Sequence, residues 1–411
     1  MDRNQKKNEI IRYYNENRER FREKLVKILK EMVAQKTINV VTEKMPEFPF
    51  LKHRGEEYRV GDIAIKELEK LGIRYEVFSK QKERPNIIGH YGKNTAEKRL
   101  FIASHMDIVP PGDGWQTDPF DMKLTGNKAY GRGVLDNKGP LVSSIIALEI
   151  LKNTVAESEI EGDFQVAFLS DEEAHEEVDY GIGYLLEDKL INPTYAIIPD
   201  IGGNMLEIDI AEKGRVVAKV IARGVQAHGS TPERGDNAIN RMARFLTKLE
   251  NYTLEHGNDE ILGMPTVNTG EIRGGSAPNI VPSVCEAVLD IRLVKDMTPD
   301  KIKKELEQLL CDEKDWIDII IRGGTYPHSI DPENELVKSV IDNSRKYFHL
   351  EPKPFGSGGG TYAKKLNMCG IKAIGFGPGD DNAFHMANEY VEIDQLLDFS
   401  ALICLIALDL I

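Results

Sequence analysis

The chain has 411 residues, 41% of them hydrophobic and 29% charged, enough apolar material for a sizeable core and too much for a disordered tail. Its 53 Lys and Arg against 67 Asp and Glu give a formal net charge of -14, and no stretch is rich in both basic and aromatic residues, which argues against a nucleic-acid or anionic-membrane partner. Four cysteines with no CxxC pair exclude a disulfide scaffold and suit a reducing, cytoplasmic setting.

At ~150 residues per domain the length predicts roughly two to three domains. The opening stretch is charged throughout and lacks the apolar run of a secretory signal. Residues 5–35 place Ile10, Ile11, Tyr14, Phe21, Leu25, Ile28, Leu29 and Met32 at helical spacing, and a second amphipathic helix is predicted from Val60 to Leu71. The apolar run Arg99 to His105 is short enough for a buried strand. A Pro/Gly-rich loop and a helix from about Gly139 to Lys152 follow, and Gln165 to Ser170 and Tyr195 to Pro199 repeat the strand pattern. This alternation predicts an α/β fold with a doubly wound, mostly parallel sheet, whose ligands bind at the carboxyl ends of the strands.

From about Ile208 the texture changes. Strands at Lys213–Arg223, Thr266–Arg273, Cys285–Val294 and Ile317–Arg322, with helices at Asn237–Glu255 and Lys301–Leu310, follow the β-α-β-β-α-β order of a ferredoxin-like domain. From Pro332 the helix and strand alternation resumes, with a Gly-rich segment Gly356 to Thr361 and a strand at Lys372 to Gly377. The expected division is therefore a catalytic domain in two parts, 1–207 and 323–411, interrupted by an inserted ferredoxin-like α+β domain at 208–322. The apolar run Phe399 to Leu408 is about half the ~20 residues a membrane-spanning helix needs, and reads as a buried terminal helix.

The residues that carry chemistry stand just after predicted strands. Ser104-His105-Met106-Asp107 closes one: on a strand, residues two apart point the same way, so Asp107 can bond the His105 ring and fix which nitrogen is free for a metal. Read alone it is also a strand-end histidine capped by an acid. Asp136 lies in the Gly-punctuated turn Gly131 to Gly139, where a carboxylate can coordinate one metal, bridge two, or cap a helix. The adjacent Glu172 and Glu173 follow the next strand; they form a solvated face, or else need a cation or proton to be tolerated there. Asp200 ends the strand Ile197-Ile-Pro-Asp200, and His385 sits in the late loop Asp381 to Tyr390. Two imidazoles with carboxylates converging on one rim suit zinc or a similar transition metal.

This ordered set resembles the acetylornithine deacetylase, succinyl-diaminopimelate desuccinylase and glutamate carboxypeptidase family of dinuclear zinc amidohydrolases and exopeptidases, from about residue 20 to the C-terminus. The resemblance implies that His105, Asp136, Glu173, Asp200 and His385 hold two divalent metal ions, zinc first and cobalt or manganese as alternatives, with Asp136 shared between them. It makes Glu172 the general base and Asp107 the partner of His105, and it places a cis peptide at Asp136–Asn137. Ala227-His228-Gly-Ser-Thr-Pro232 matches the inserted domain. There the resemblance implies a homodimer in which His228 reaches the other copy's site to stabilise an oxyanion. Asn279 and Arg292 match positions that hold a substrate carboxylate or the polarised carbonyl, with Gly358 and Gly359 as backbone donors to the same carboxylate. Arg292 reads alternatively as a strand salt bridge to Asp290 or Glu286.

Two features depart from the family pattern. Ala174-His175-Glu-Glu-Val-Asp-Tyr180 replaces a short small-residue turn and makes His175 an exposed loop histidine. Gly358 to Tyr362 resembles the dipeptidase branch, although the inserted unit is too short for the enlarged lid of monomeric dipeptidases. The implied activity is hydrolysis of an amide or peptide bond in a small N-acyl amino acid or dipeptide. An aminopeptidase or tripeptidase reading a free α-amino group, and a non-catalytic ligand-binding protein on the same scaffold, remain alternatives.

Overall fold

The N-terminal periodicity resolves into two helices, Arg3–Glu16 and Arg18–Val33, in the computed structural model, which describes residues 2–39, 55–93, 97–173 and 178–411. The break falls at Asn17, whose φ of -112° and ψ of 9° leave the helical region. Ile10 and Tyr14 are buried on the first helix, and Phe21, Leu25, Ile28, Leu29 and Met32 on the second. The helix Tyr58–Leu71 buries Val60, Ala64 and Leu68 at the same spacing and ends at Gly72, left-handed with φ 62°, a C-cap that glycine adopts without a Cβ clash.

The chain divides into two compact units. The first takes the chain up to Ile210, then Ile330–Phe355 and Thr361–Ile411. Its sheet runs in the order Arg74–Phe78, Asn86–Gly92, Asp163–Leu169, Arg99–His105, Tyr195–Ile198, Lys372–Gly375, Glu207–Glu212. The four strands from Asp163–Leu169 to Lys372–Gly375 pair in parallel. The pairings outside them are antiparallel, so the sheet is mixed, with a parallel centre. The first two strands are absent from the sequence-based element list. Arg74–Phe78 is an exposed edge with no apolar run, and Asn86–Gly92 carries Gly89, His90 and Gly92, which dilute its β signature.

Two helices cover this sheet with almost no polar face. Lys138–Thr154 buries every residue from Lys138 to Leu151, and Ile393–Leu410 buries all but four of its positions. The two pack on each other and on the N-terminal helices, as helices apolar all round must. A fully buried Leu, Ile or Phe contributes about 1.5–3 kcal/mol relative to exposure, so these two segments anchor the unit. Among the described residues no helix is long and apolar enough to cross a membrane.

The second unit, Ala211–Ser329 with Gly356–Gly360, holds an antiparallel sheet in the order Thr266–Gly274, Val284–Leu293, Gly214–Arg223, Ile317–Thr325. Val216, Ala218, Val220 and Ala222 alternate inward along one strand, in one core with Met242, Phe245, Ile302 and Leu306. Its helices are Ala238–Glu250, capped by the Asn237 side chain, and Pro299–Leu309, capped by Thr298. The last strand continues past Arg322 through a register shift between Ile321 and Gly324. The sequence-based end at 322 therefore falls inside a strand, and the Gly-rich segment belongs to this unit and not to the first.

Candidate metal centre

The parallel centre of the sheet sets where the chemistry sits. Because those strands share a direction, their carboxyl ends lie on one side. His105 is the last residue of Arg99–His105, Glu172 and Glu173 follow Asp163–Leu169, and Asp200 follows Tyr195–Ile198. Asp136 precedes the helix Lys138–Thr154, with the Asp136–Asn137 peptide cis, and His385 sits in a loop with φ 59°.

These side chains form two clusters that share one carboxylate. His105 Nε2 lies 2.9 Å from Asp136 Oδ1 and 3.5 Å from Asp200 Oδ1. His385 Nε2 lies 3.0 Å from Asp136 Oδ2 and 3.2 Å from Glu173 Oε2. Asp136 thus turns one oxygen to each imidazole, and Glu172 stands beside His105 and Glu173. Donors ~2.0–2.1 Å from a tetrahedral zinc stand about 3.3 Å apart, so both clusters are spaced to hold a cation, and a set of N and O donors without sulfur suits zinc, cobalt or manganese. The buried Glu173 Oε1, which has no hydrogen-bond partner among the described residues, is a further atom that a cation would satisfy.

Asp107 does its work differently from the expectation. His105 Nδ1 donates to the main-chain carbonyl of Asp107 at 3.0 Å, while the carboxylate stands at 3.5 Å. A carbonyl can only accept, so Nδ1 carries a proton, and Nε2 is the nitrogen turned toward Asp136 and Asp200 and left to meet a cation. The Asp107 carboxylate accepts instead from the backbone N–H groups of Glu172 at 3.2 Å and Glu173 at 3.0 Å, and from Asn39 at 2.7 Å. The strand ends at His105, so side-chain alternation no longer governs Asp107.

Charge crowding dominates the electrostatics. Burial, then the neighbouring Asp200 and Glu173, pushes the Glu172 carboxyl well above its ordinary value. Burial and Asp136 raise Glu173 to about 8. Hydrogen bonds to Asp136 and Glu173 raise His385 to about 10. Burial opposes a charged His105, but its bonds to Asp107, Asp136 and Asp200 outweigh burial and raise it well above the ordinary value. Burial likewise works against Asp107, and the His105 ring still holds it down at about 2. Carboxylates that compete for protons in this way are stabilised by a shared cation.

A buried ion pair outside the predicted set fixes the loops that carry Asp136 and His385. Arg132 Nη1 lies 2.6 Å from Glu389 Oε2, with both side chains almost fully buried. Glu389 Oε1 accepts the N–H groups of Gly133, Leu135 and Asp136, and Arg132 Nη2 donates to the His385 carbonyl at 3.1 Å. Arg132 stands in the Gly131-Arg-Gly133 turn and Glu389 just past His385, both inside the motifs read from the sequence, but a charge flanked by glycines carries no burial signal. Arg132→Met, which strands Glu389 in the interior, is expected to cost about 3–5 kcal/mol by urea unfolding. The double variant with Glu389→Gln should recover part of that loss, and an unaltered urea midpoint in the single variant would refute the pairing's weight.

The remaining predicted residues belong to the second unit. His228 is exposed, its Nδ1 lies 2.7 Å from Ser230 Oγ, and it bridges to Ile280, which sets it beside the exposed Asn279. Arg292 takes the salt-bridge alternative, with Nε donating to Asp290 at 2.8 Å, and Nη1 donates to the Gly358 carbonyl at 2.9 Å. Gly358 therefore offers an acceptor to Arg292, and both Gly358 and Gly359 are exposed. His175 lies outside the described residues.

A family described as a peptidase dimerisation domain matches residues 210–318. Over 83% of the chain, the sequence is 31% identical to an uncharacterized metallohydrolase of Methanocaldococcus jannaschii, 87% of which is covered. It is 28% identical to a succinyl-diaminopimelate desuccinylase of Sulfurimonas denitrificans, over 74% of the chain and 82% of that protein. The aminopeptidase PepT of Bacillus cereus shares the fold, with a TM-score of 0.74 at 22% identity, covering 95% of this chain and 98% of that one. The chain belongs to the M20 family of metallohydrolases and is an enzyme that hydrolyses amide or peptide bonds.

Proposed function

We propose that the enzyme cleaves the amide or peptide bond of a small N-acyl amino acid or dipeptide bearing a free carboxylate, with two divalent cations, zinc foremost, in the paired clusters. The observation that carries this reading is Asp136, whose two oxygens face two different imidazoles. Two cations bound there would lower the pKa of a water from 15.7 toward ~7 and polarise the scissile carbonyl.

The protein's own residues do the rest. His105 presents Nε2 because the Asp107 carbonyl holds its other nitrogen. Glu172, beside His105 and Glu173, takes the proton of the attacking water, holds it, and returns it to the departing amine. In the homodimer that this reading includes, His228 of one copy donates to the oxyanion formed in the other. Asn279 and Arg292 receive the substrate carboxylate, the guanidinium being oriented by Asp290 and the Gly358 carbonyl.

The test is amine release from N-acetyl and N-succinyl amino acids, dipeptides and amidated dipeptides, with zinc, cobalt or manganese and with chelator. Chelator-sensitive cleavage confined to free-carboxylate substrates is expected. Equal cleavage of the amidated dipeptides would replace the carboxylate reading with recognition of a free α-amino group. Hydrogen bonds to a charged group contribute about 1.5–3 kcal/mol, so Arg292→Ala should raise KM for carboxylate substrates roughly 10- to 150-fold and leave kcat near normal. A similar loss on amidated analogues would remove Arg292 from carboxylate binding.

A further inference from the structure

Beneath the turn that presents Glu172 and Glu173 lies a buried ion network that the chemistry above does not use. Asp171, immediately before the pair, has φ 64°, a left-handed conformation uncommon outside glycine and often a mark of a constrained functional turn. It is held there from several directions. Its Oδ1 accepts from Arg84 Nη1 at 2.8 Å and from Asn39 Nδ2 at 3.0 Å, its Oδ2 accepts the N–H of Tyr180 at 3.1 Å, and its own N–H donates to Glu57 Oε1 at 3.3 Å.

Arg84 is the cation at the centre of this network. Its side chain is 2% exposed, and it also pairs with the fully buried Glu57 at 3.3 Å. Its Nη2 donates to Asn39 Oδ1 at 2.7 Å, which fixes the orientation of that amide. Asn39 then donates both to Asp171 and to Asp107, the carboxylate that accepts the N–H groups of Glu172 and Glu173. One guanidinium therefore governs the acids gripping both ends of the turn. Without it, Glu57, Asp107 and Asp171 would be like charges buried together, and Asn39 would lose the contact that sets its register.

We propose that Arg84 is a positioning residue for the hydrolytic step: through Asp171 and the Asn39–Asp107 link it locks the backbone of residues 171–173 and so sets where the Glu172 carboxylate stands. The proposal rests on the reading of Glu172 as general base. Arginine suits the place because two nitrogens of its planar fork serve Asp171 and Asn39 separately, a spread that a single ammonium matches only in part.

The test uses the zinc-loaded full-length enzyme and four variants, Arg84→Met, Arg84→Lys, Asp171→Asn and Glu172→Gln. Zinc content, kcat and KM on the panel substrate that the wild type cleaves fastest, and hydrogen exchange by mass spectrometry are measured for each. A misplacement of ~1 Å costs on the order of 10²-fold, so Arg84→Met should lose about 10- to 100-fold in kcat with little change in KM or zinc content. Exchange at residues 172–173 should accelerate at least about tenfold while the helix Lys138–Thr154 keeps its wild-type rate. Arg84→Lys should restore part of kcat. If Arg84→Met does not fold, Asp171→Asn, which tolerates the left-handed backbone but weakens the charge tie, should show the same local pattern at smaller size.

Unchanged exchange at 172–173, or a loss spread evenly over kcat, KM, zinc content and all amides, would overturn the proposal. Normal turnover by Glu172→Gln would instead overturn the base assignment, and the exchange data would still decide whether Arg84 holds the turn.

Discussion

Glu172→Gln is expected to lose roughly 10²- to 10⁴-fold in kcat while keeping both cations, because a positioned proton acceptor contributes about that factor and Gln cannot take the proton. The side chain keeps its size, and its carboxylate, which groups with His105 and Glu173, lies outside the two clusters that meet at Asp136. The substitution removes one negative charge and no atom of the clusters that meet at Asp136, so zinc content should stay near that of the wild type. Zinc content by elemental analysis and steady-state kinetics on the same preparation decide the matter. Wild-type turnover would mean another group moves the proton, and loss of zinc would make Glu172 a ligand.

Asp136→Asn should have the opposite signature. An amide has one acceptor oxygen where the carboxylate has two, and its NH₂ would turn a donor toward one of the imidazole nitrogens. The two clusters meet at this residue, 2.9 Å from His105 and 3.0 Å from His385, so one cluster at least must fail. We expect zinc to fall from two per chain to one or fewer. The loss of activity should exceed the roughly 10- to 100-fold that follows removal of an outer partner of a metal ligand. Two tightly bound zinc ions in this variant would show that Asp136 does not join the clusters.

The grouping of the candidate metal ligands was legible in the sequence because strand ends announce themselves. His105, Asp136, Glu173, Asp200 and His385 each read weakly alone, yet each follows an apolar run or a Gly-rich turn, and a parallel sheet brings such ends together. The supporting charges were not legible, for a physical reason. Arg84 lies in Lys80-Gln-Lys-Glu-Arg84, which reads as a solvated charged face, and its partners Glu57 and Asp171 are distant in sequence. Arg132 and Glu389 are 257 residues apart. Whether a charge is buried is decided by packing across the chain, and neither periodicity nor spacing encodes it. Asp107 shows a subtler limit: the spacing located the residue correctly, but its main chain faces His105 where the strand rule had placed its carboxylate.

The first unit draws on segments either side of the second. His385 and the helix Ile393–Leu410 come late in the chain, while Asp136 and Lys138–Thr154, the helix on which Ile393–Leu410 packs, lie within the first 154 residues. The second unit, by contrast, is nearly one continuous segment. During biosynthesis the inserted unit can therefore close on itself while the first unit waits, with the largely apolar helix Lys138–Thr154 uncovered and Asp136 facing only His105. Until His385 has emerged the two candidate clusters cannot both form, and the partly made first unit exposes apolar surface that invites aggregation.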